Sequence, residues 1–274
     1  MLDSSTPLLI ALLLLIYYSY RYAWWRGVVD LSNPRILMYH MVTEQIKGAK
    51  FNGLRVTPEY FEKQIRYLKE NGWNSFTVSE MIGLRDDLPK KSVAITFDDG
   101  FEDNFTKALP ILQKYGFKAT IYLVNNRFDN DWSKNRKKKN SNALINEPKL
   151  SDDQVKELLN SNLIEIGSHT LNHKNFADID VKETRLEMAD SKDAIESKFQ
   201  IECKTFAYPF GIYKKGDEKI AKEVGFTCAL TTHSGIADFK NDDLYLLPRV
   251  TISGKDSFFS FWLKMRTGKR GVNK

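Results

Sequence analysis

Val93-Ala94-Ile95-Thr96-Phe97-Asp98-Asp99-Gly100 is the stretch on which the fold turns. Five uncharged residues rich in β-branched and aromatic side chains run into two adjacent carboxylates and a glycine. An apolar run of this length bounded by turn residues reads as a strand buried on both faces, as in parallel sheets covered by helices. The carboxylates then fall at its C-terminal end, the end at which barrel enzymes keep their chemistry. Neighbouring side chains at a strand end point in different directions, so one carboxylate can bind a cation while the other faces a bound water. An isolated Asp-Asp-Gly is more often a plain turn, so this segment needs company to carry function.

Outward from it, short apolar runs alternate with helical periods. Strands are expected at 36–39, 75–78, 117–124, 163–167, 205–208, 226–231 and 244–251. Thr57-Pro58 reads as an N-cap with proline at the first helical position, and Tyr60, Phe61, Ile65 and Leu68 keep one apolar stripe until Gly72. A helix over 104–115 closes at Gly116. Ser151 opens another to about 160, and Asp180 with Glu183 forms a capping box for one reaching about 199. A further helix stops at Gly225. About seven βα units favour an irregular barrel over an open sheet. Residues 125–149 are rich in Asn, Lys and Arg without periodicity and read as a long exposed loop.

Three further segments carry chemistry. Ser168-His169-Thr170-Leu171-Asn172-His173 follows a strand, and its His-x-x-x-His spacing predicts two imidazoles one helical turn apart on a common face. Joined to the Asp98-Asp99 pair, it supplies three ligands, Asp99, His169 and His173, with a position left open for water, as in catalytic zinc-type sites. Phe206-Ala207-Tyr208-Pro209-Phe210-Gly211 fixes a tight loop after a strand, whose backbone amides suit an oxyanion; taken alone it is an ordinary strand-ending turn. His40, after Tyr39 at the end of the first strand, reads by spacing alone as a core histidine. Tyr39, Met41, Phe101 and Leu247 are candidate groove residues.

Together these segments, over roughly residues 35–251, resemble the polysaccharide deacetylase family, also called the NodB-homology domain or carbohydrate esterase family 4. Thr96-Phe97-Asp98-Asp99-Gly100 is similar to its first motif and His169-Thr170-Leu171-Asn172-His173 to its second. The resemblance implies a distorted (β/α)7 barrel and hydrolysis of the N-acetyl group of an amino sugar. It implies Asp98 as general base, and Asp99, His169 and His173 as ligands of one divalent cation, zinc first, with nickel or cobalt as alternatives. Pro209-Phe210 resembles the third motif, whose post-proline amide, here that of Phe210, helps form the oxyanion hole. The arginine common shortly before that proline is replaced by Ala207 and Tyr208, and Arg249 is the candidate to orient Asp98 instead. The late histidine motif is missing, and Tyr39-His40 ahead of the Asp-Asp pair resembles the permuted poly-N-acetylglucosamine deacetylases, which makes His40 the candidate acid and leaves His233 a minor rival. The same chemistry on peptidoglycan or on a formylated lipid-linked sugar is the near alternative, and an inactive glycan-binding module the distant one.

The rest of the 274 residues frame this domain. Lys and Arg exceed Asp and Glu by 41 to 35, and the surplus crowds into 134–139 and 264–274. Neither run carries a nucleic-acid recognition motif, so the expected partners are a glycan or lipid-linked sugar and membrane lipid, with no nucleic acid. Residues 4–20 are uncharged, their centre 8–16 is apolar on every helical face, and tyrosines and tryptophans follow from Tyr17 through Trp25. This predicts a single-pass anchor over 1–26 in the cytoplasmic (inner) membrane, a linker over 27–34 and the deacetylase domain over 35–255. Arg21, Arg26 and Arg35 favour the cytoplasmic side for that domain. The aromatic and basic segment 256–274 suits a helix lying on a membrane surface, or else a last barrel helix with a frayed tail.

Overall fold

The computed structural model describes residues 6–128 and 144–271. Helix α1 (Thr6–Tyr22) is followed by β1 (Arg35–Tyr39), the short β2 (Met41–Val42) and β3 (Arg55–Val56), α2 (Pro58–Glu70), β4 (Asn74–Phe76), α3 (Val78–Gly83) and β5 (Ser92–Asp98). A π turn over Asn104–Ala108 runs into α4 (Leu109–Tyr115), then β6 (Ala119–Leu123), α5 (Asp152–Asn160), β7 (Ile164–Ser168), α6 (Val181–Phe199) and β8 (Thr205–Ala207). The chain ends with α7 (Asp217–Glu223), β9 (Cys228–Ser234), β10 (Leu247–Thr251) and α8 (Phe258–Thr267).

The strands are parallel and the sheet closes on itself. Neighbours run β1-β10-β9-β8-β7-β6-β5, and β1 pairs again with β5. Residues of β5 show where the barrel is distorted. Val93 is paired to both Arg35 of β1 and Ser75 of β4, and Ile95 to both Leu37 of β1 and Ala119 of β6. β4 and β6 therefore share one edge of β5, the first along its N-terminal half and the second along its C-terminal half. The barrel has seven strands, with β4 wedged into the split.

Side-chain parity follows from the two-residue period of a strand. Ile36, Ala94, Tyr122, Ala207, Cys228, Leu230 and Leu247 form one apolar cluster, the barrel interior. Leu37, Tyr39, Val93, Ile95, Phe97, Ile121, Ile166 and Phe206 join the helices in the larger outer core. Continuing the inner parity up β1, β5 and β10 reaches His40, Asp98 and Arg249.

Local signals behave as sequence chemistry dictates. The Thr57 hydroxyl accepts the Tyr60 amide at 3.3 Å, Ser151 and Gln154 make a reciprocal cap, and Gly116 ends α4 at φ 68°. Asp180 accepts the Glu183 amide at 2.8 Å, but the Glu183 carboxylate turns to Lys174, so only half of the box expected there is made. The strand expected at 75–78 is shorter, because Thr77 and Glu80 form a capping box and turn the chain into α3.

The anchor expected over 1–26 requires correction. No helix among the described residues is long and apolar enough to cross a membrane. Among the described residues α1 runs for 17, about 25 Å at the helical rise and short of a hydrocarbon core of about 30 Å. The single-pass placement in the inner membrane, and the orientation argued from it, fall with that span. α8 is the closing barrel helix, with Phe261 and Met265 in the outer core, rings of Phe258 and Phe261 against Tyr67, and Lys264 bonded to Asp256. Nothing in these contacts points to a membrane-lipid partner. Of the long loop, Trp132 and residues 134–139 lie outside the described residues. Its described flanks are partly buried, since Arg127 donates to the Leu150 carbonyl at 2.6 Å and Leu144 is almost wholly covered.

Candidate active site

At the C-terminal mouth of the barrel a cavity of about 250 Å³ is floored by His40, Asp98, Asp99, His169 and His173. The carboxylates reach it because the chain turns sharply after β5, with Asp99 at φ 78° and Gly100 at φ 70°. A Cβ at Gly100 would sit 2.6 Å from Leu123 Cδ1, so the turn requires glycine.

Asp98 is 2% exposed and is gripped by the fully buried Arg249, whose Nη1 and Nη2 donate to its two oxygens at 2.7 Å each. Arg249 is itself held by the Thr231 carbonyl at 2.8 Å and the Thr96 hydroxyl at 3.2 Å. Burial pushes the Asp98 carboxyl up, but the Arg249 charge, with His169 and the Arg249 hydrogen bonds, outweighs it and leaves the pKa below the ordinary carboxylate value. Asp98 is thus an ionised, fixed acceptor at neutral pH.

Asp99 Oδ1 lies 3.5 Å from His169 Nε2 and 3.3 Å from His173 Nε2, and the three ligand atoms fall within 4.8 Å of one another. Burial raises the Asp99 carboxyl, and the hydrogen bonds from both imidazoles more than reverse this, holding it well below its usual range. Burial also favours the neutral form of both rings. At His169 the hydrogen bond to Asp99 and the charges of Asp98 and Asp99 overturn that preference, whereas at His173 they do not. His169 Nδ1 is 2.7 Å from the Ala207 carbonyl. A carbonyl only accepts, so Nδ1 carries a proton, which would leave Nε2 as the ligating nitrogen once a cation replaced its hydrogen bond to Asp99. Two imidazole nitrogens and one carboxylate oxygen fit a single divalent cation, and zinc suits that donor set.

The histidine pair is not helical, contrary to the expectation from its spacing. His169 follows β7, and Thr170 at φ 71° and His173 at φ 55° fold the segment into a loop that brings the ring centroids to 4.8 Å. The Thr170 hydroxyl accepts the His173 amide at 2.8 Å.

His40 follows β1 half-buried on the cavity wall, and its main-chain carbonyl accepts Asn104 Nδ2 at 2.9 Å. Burial lowers its pKa, against the opposing charges of Asp99 and Asp98. Pro209 is buried, and Phe210 (φ 58°) holds the third position of a turn closed by the Gly211 amide on the Tyr208 carbonyl at 2.9 Å. Phe210 lines the cavity and lies edge-on to His173, centroids 4.5 Å apart. Tyr39 is not brought to the site. It points to the outer core, with its hydroxyl donating to Gln64 Oε1 at 2.8 Å. Met41 and Phe101 are buried in a small apolar cluster with Leu144, Leu247 is inside the barrel, and His233 is exposed against Tyr213. The apolar walls come from Phe51, Leu54 and Leu144, which carry no local motif and escape sequence reading.

A parallel barrel with paired carboxylates and a His-His-Asp metal set at its C-terminal mouth defines a metal-dependent hydrolase. Residues 85–229 match the family model described as polysaccharide deacetylase. The chain is 32% identical over 221 residues to the Bacillus subtilis (strain 168) protein YxkH, a polysaccharide deacetylase by name, covering 80% of this chain and 71% of that one. It is 26% identical over 249 residues to the poly-beta-1,6-N-acetyl-D-glucosamine N-deacetylase of Staphylococcus epidermidis, covering 84% and 82%. The solved Streptococcus pyogenes deacetylase PplD, in complex with acetate, superposes with a TM-score of 0.72 at 27% identity, over 87% of this chain and 99% of that one. The chain belongs to the polysaccharide deacetylase family. It is a hydrolase of amide bonds that deacetylates an N-acetylated amino sugar with one divalent metal ion held by Asp99, His169 and His173.

Proposed function

We propose that the substrate is a neutral poly-N-acetylglucosamine chain of the β-1,6 type, with Asp98 as general base and His40 as general acid. The carrying observation is that His40, placed ahead of the Asp-Asp pair in sequence, shares one cavity with Asp98 and the metal ligands. Among the described residues lining that cavity none is Lys or Arg, in keeping with an uncharged glycan. Kinship with the staphylococcal enzyme supports the same reading.

Asp99, His169 and His173 would hold the cation, which when bound would polarise the acetyl carbonyl and lower the pKa of the attacking water. Asp98, kept ionised and immobile by Arg249, accepts the proton of the attacking water. The Phe210 amide donates to the oxygen that gains charge at the acetyl carbon. His40, whose pKa burial lowers, would in its protonated form pass a proton readily to the departing sugar amine, which cannot leave as an anion. Removal of either proton-transfer partner lowers the rate by about 10²–10⁴-fold.

Acetate release from β-1,6-linked N-acetylglucosamine oligomers, β-1,4-linked oligomers and peptidoglycan, each with and without chelator, tests the substrate. The β-1,6 series is expected to react fastest and only with metal present. A clear preference for peptidoglycan overturns the proposed glycan while leaving the metal chemistry standing.

A further inference from the structure

We propose that Glu187 is the positioning residue for the metal-binding loop, a carboxylate clamp on α6 that sets where His173 stands. The inference rests on the metal site described above and concerns a residue that touches neither metal nor substrate.

Glu187 is 3% exposed, and an acid so buried needs partners. Its Oε2 accepts the Asn172 main-chain amide at 2.8 Å and its Oε1 the Asn172 side-chain amide at 2.7 Å. Its own main-chain carbonyl accepts the Leu171 amide at 3.1 Å, and Lys174 Nζ lies 3.6 Å from Oε1. One helical residue thus takes up two consecutive loop amides and one side-chain amide, all between the two ligating histidines.

The loop needs such a hold because Thr170 and His173 both adopt the left-handed region that non-glycine residues avoid. Its opposite flank is tied through neutral groups alone, by Asn125 N to the Thr170 carbonyl at 3.3 Å, Asn126 N to the Leu171 carbonyl at 2.9 Å and Asn126 Nδ2 to Asn172 Oδ1 at 2.7 Å. His169 is fixed independently, by β7 and the Ala207 carbonyl. Loss of the Glu187 carboxylate removes both of its bonds to Asn172, next to His173, and so loosens that ligand while leaving His169 and Asp99 in place.

The test uses the full chain with zinc and cobalt as probes. Zinc affinity is measured by competition with a chromophoric chelator, and the cobalt-substituted protein by its ligand-field absorption, for the parent, Glu187→Ala, Glu187→Gln and, as a control on the ligand set, Asp99→Ala. Glu187→Ala is expected to weaken zinc binding about 10–100-fold and to change the cobalt spectrum. Glu187→Gln, which keeps one oxygen for the Asn172 main-chain amide, is expected to fall between it and the parent. A folded Glu187→Ala protein with parental zinc affinity and an unchanged cobalt spectrum overturns the clamp. Should Glu187→Ala fail to fold, Glu187→Gln decides, with parental values on both readouts overturning the proposal. A parent that binds no stoichiometric zinc, or an Asp99→Ala protein that binds it as the parent does, instead sinks the ligand set on which the clamp depends.

Discussion

Arg249 and Asp98, 151 residues apart in the chain, face each other through two parallel hydrogen bonds of 2.7 Å with both side chains shut off from solvent. A guanidinium presents a planar fork matched to a carboxylate, which an ammonium cannot reproduce. Arg249→Lys should therefore leave Asp98 looser and raise its pKa, because the charge and hydrogen bonds that offset burial are weakened. With a higher pKa the base stays protonated to higher pH, so the acid limb of the kcat/KM profile moves up and activity at neutral pH drops by on the order of 10²-fold. An acid limb unchanged in the Lys variant would remove Arg249 from the base-orienting role.

The two adjacent carboxylates should separate by readout. Asp98→Asn keeps the ligand set and should retain metal while losing about 10²–10⁴-fold in rate, whereas Asp99→Ala should lose metal and activity together. Metal content after dialysis, measured beside acetate release, checks both. An Asp98→Asn protein of normal turnover would exclude Asp98 as the base.

Sequence chemistry makes the barrel and the ligands legible because each depends on local signals. The apolar run before Asp98 is readable as a buried strand, and Thr57, Ser151 and Gly116 mark helix ends through their own hydrogen bonds and backbone preferences. Asp98, Asp99, His169 and His173 fall in two strand-end motifs. What stays hidden depends on three-dimensional parity or on partners remote in sequence. Tyr39 is adjacent to His40 yet faces the helices, since one step along a strand reverses the side chain.

Glu187 resembles any acid on an exposed helix until α6 is seen against the loop. The spacing of His169 and His173 suggests one helical turn because it does not reveal two left-handed residues.

Asp103 gives the fold a pH dependence of its own. Burial, with the charge of Glu147, raises its carboxyl to about 7, against the Val42 amide, the Arg55 charge and Asn104. An unfolded aspartate titrates near 4. Below about pH 4 both states are protonated and Asp103 has no effect. Between about 4 and 7 the unfolded chain ionises first, so the contribution of Asp103 to stability declines as pH rises and levels off above the folded pKa. Asp103→Asn keeps an acceptor for the Val42 amide, which Asp103 Oδ1 now receives at 3.1 Å. Relative to the parent, the variant should gain stability between pH 5 and pH 8, as read by urea unfolding at each. An identical difference between the proteins at both pH values would contradict the raised carboxyl.

Gly211 tests the turn that carries Phe210. It sits at φ 67°, and a Cβ there would stand 2.0 Å from Thr232 Oγ1 and 2.6 Å from the Thr232 main-chain nitrogen. The hydroxyl could rotate away, but the backbone nitrogen belongs to β9, which is held against β10 at Leu230 and Ser234 on either side of Thr232. Gly48 provides the comparison, since it has φ 80° and no atom within 4 Å of its Cβ position. Gly48→Ala should destabilise by only about 1–2 kcal/mol, the left-handed backbone effect. Gly211→Ala adds the overlap and should exceed it by about 1–3 kcal/mol, as overpacked sites do. The overlap is relieved most easily by shifting the turn itself, which moves Phe210 on the cavity wall. Gly211→Ala should therefore lower kcat at temperatures where the protein remains folded, while Gly48→Ala leaves kcat at the parental value. Equal melting temperatures and equal kcat for the two variants would show that the Phe210 turn does not depend on its close approach to β9.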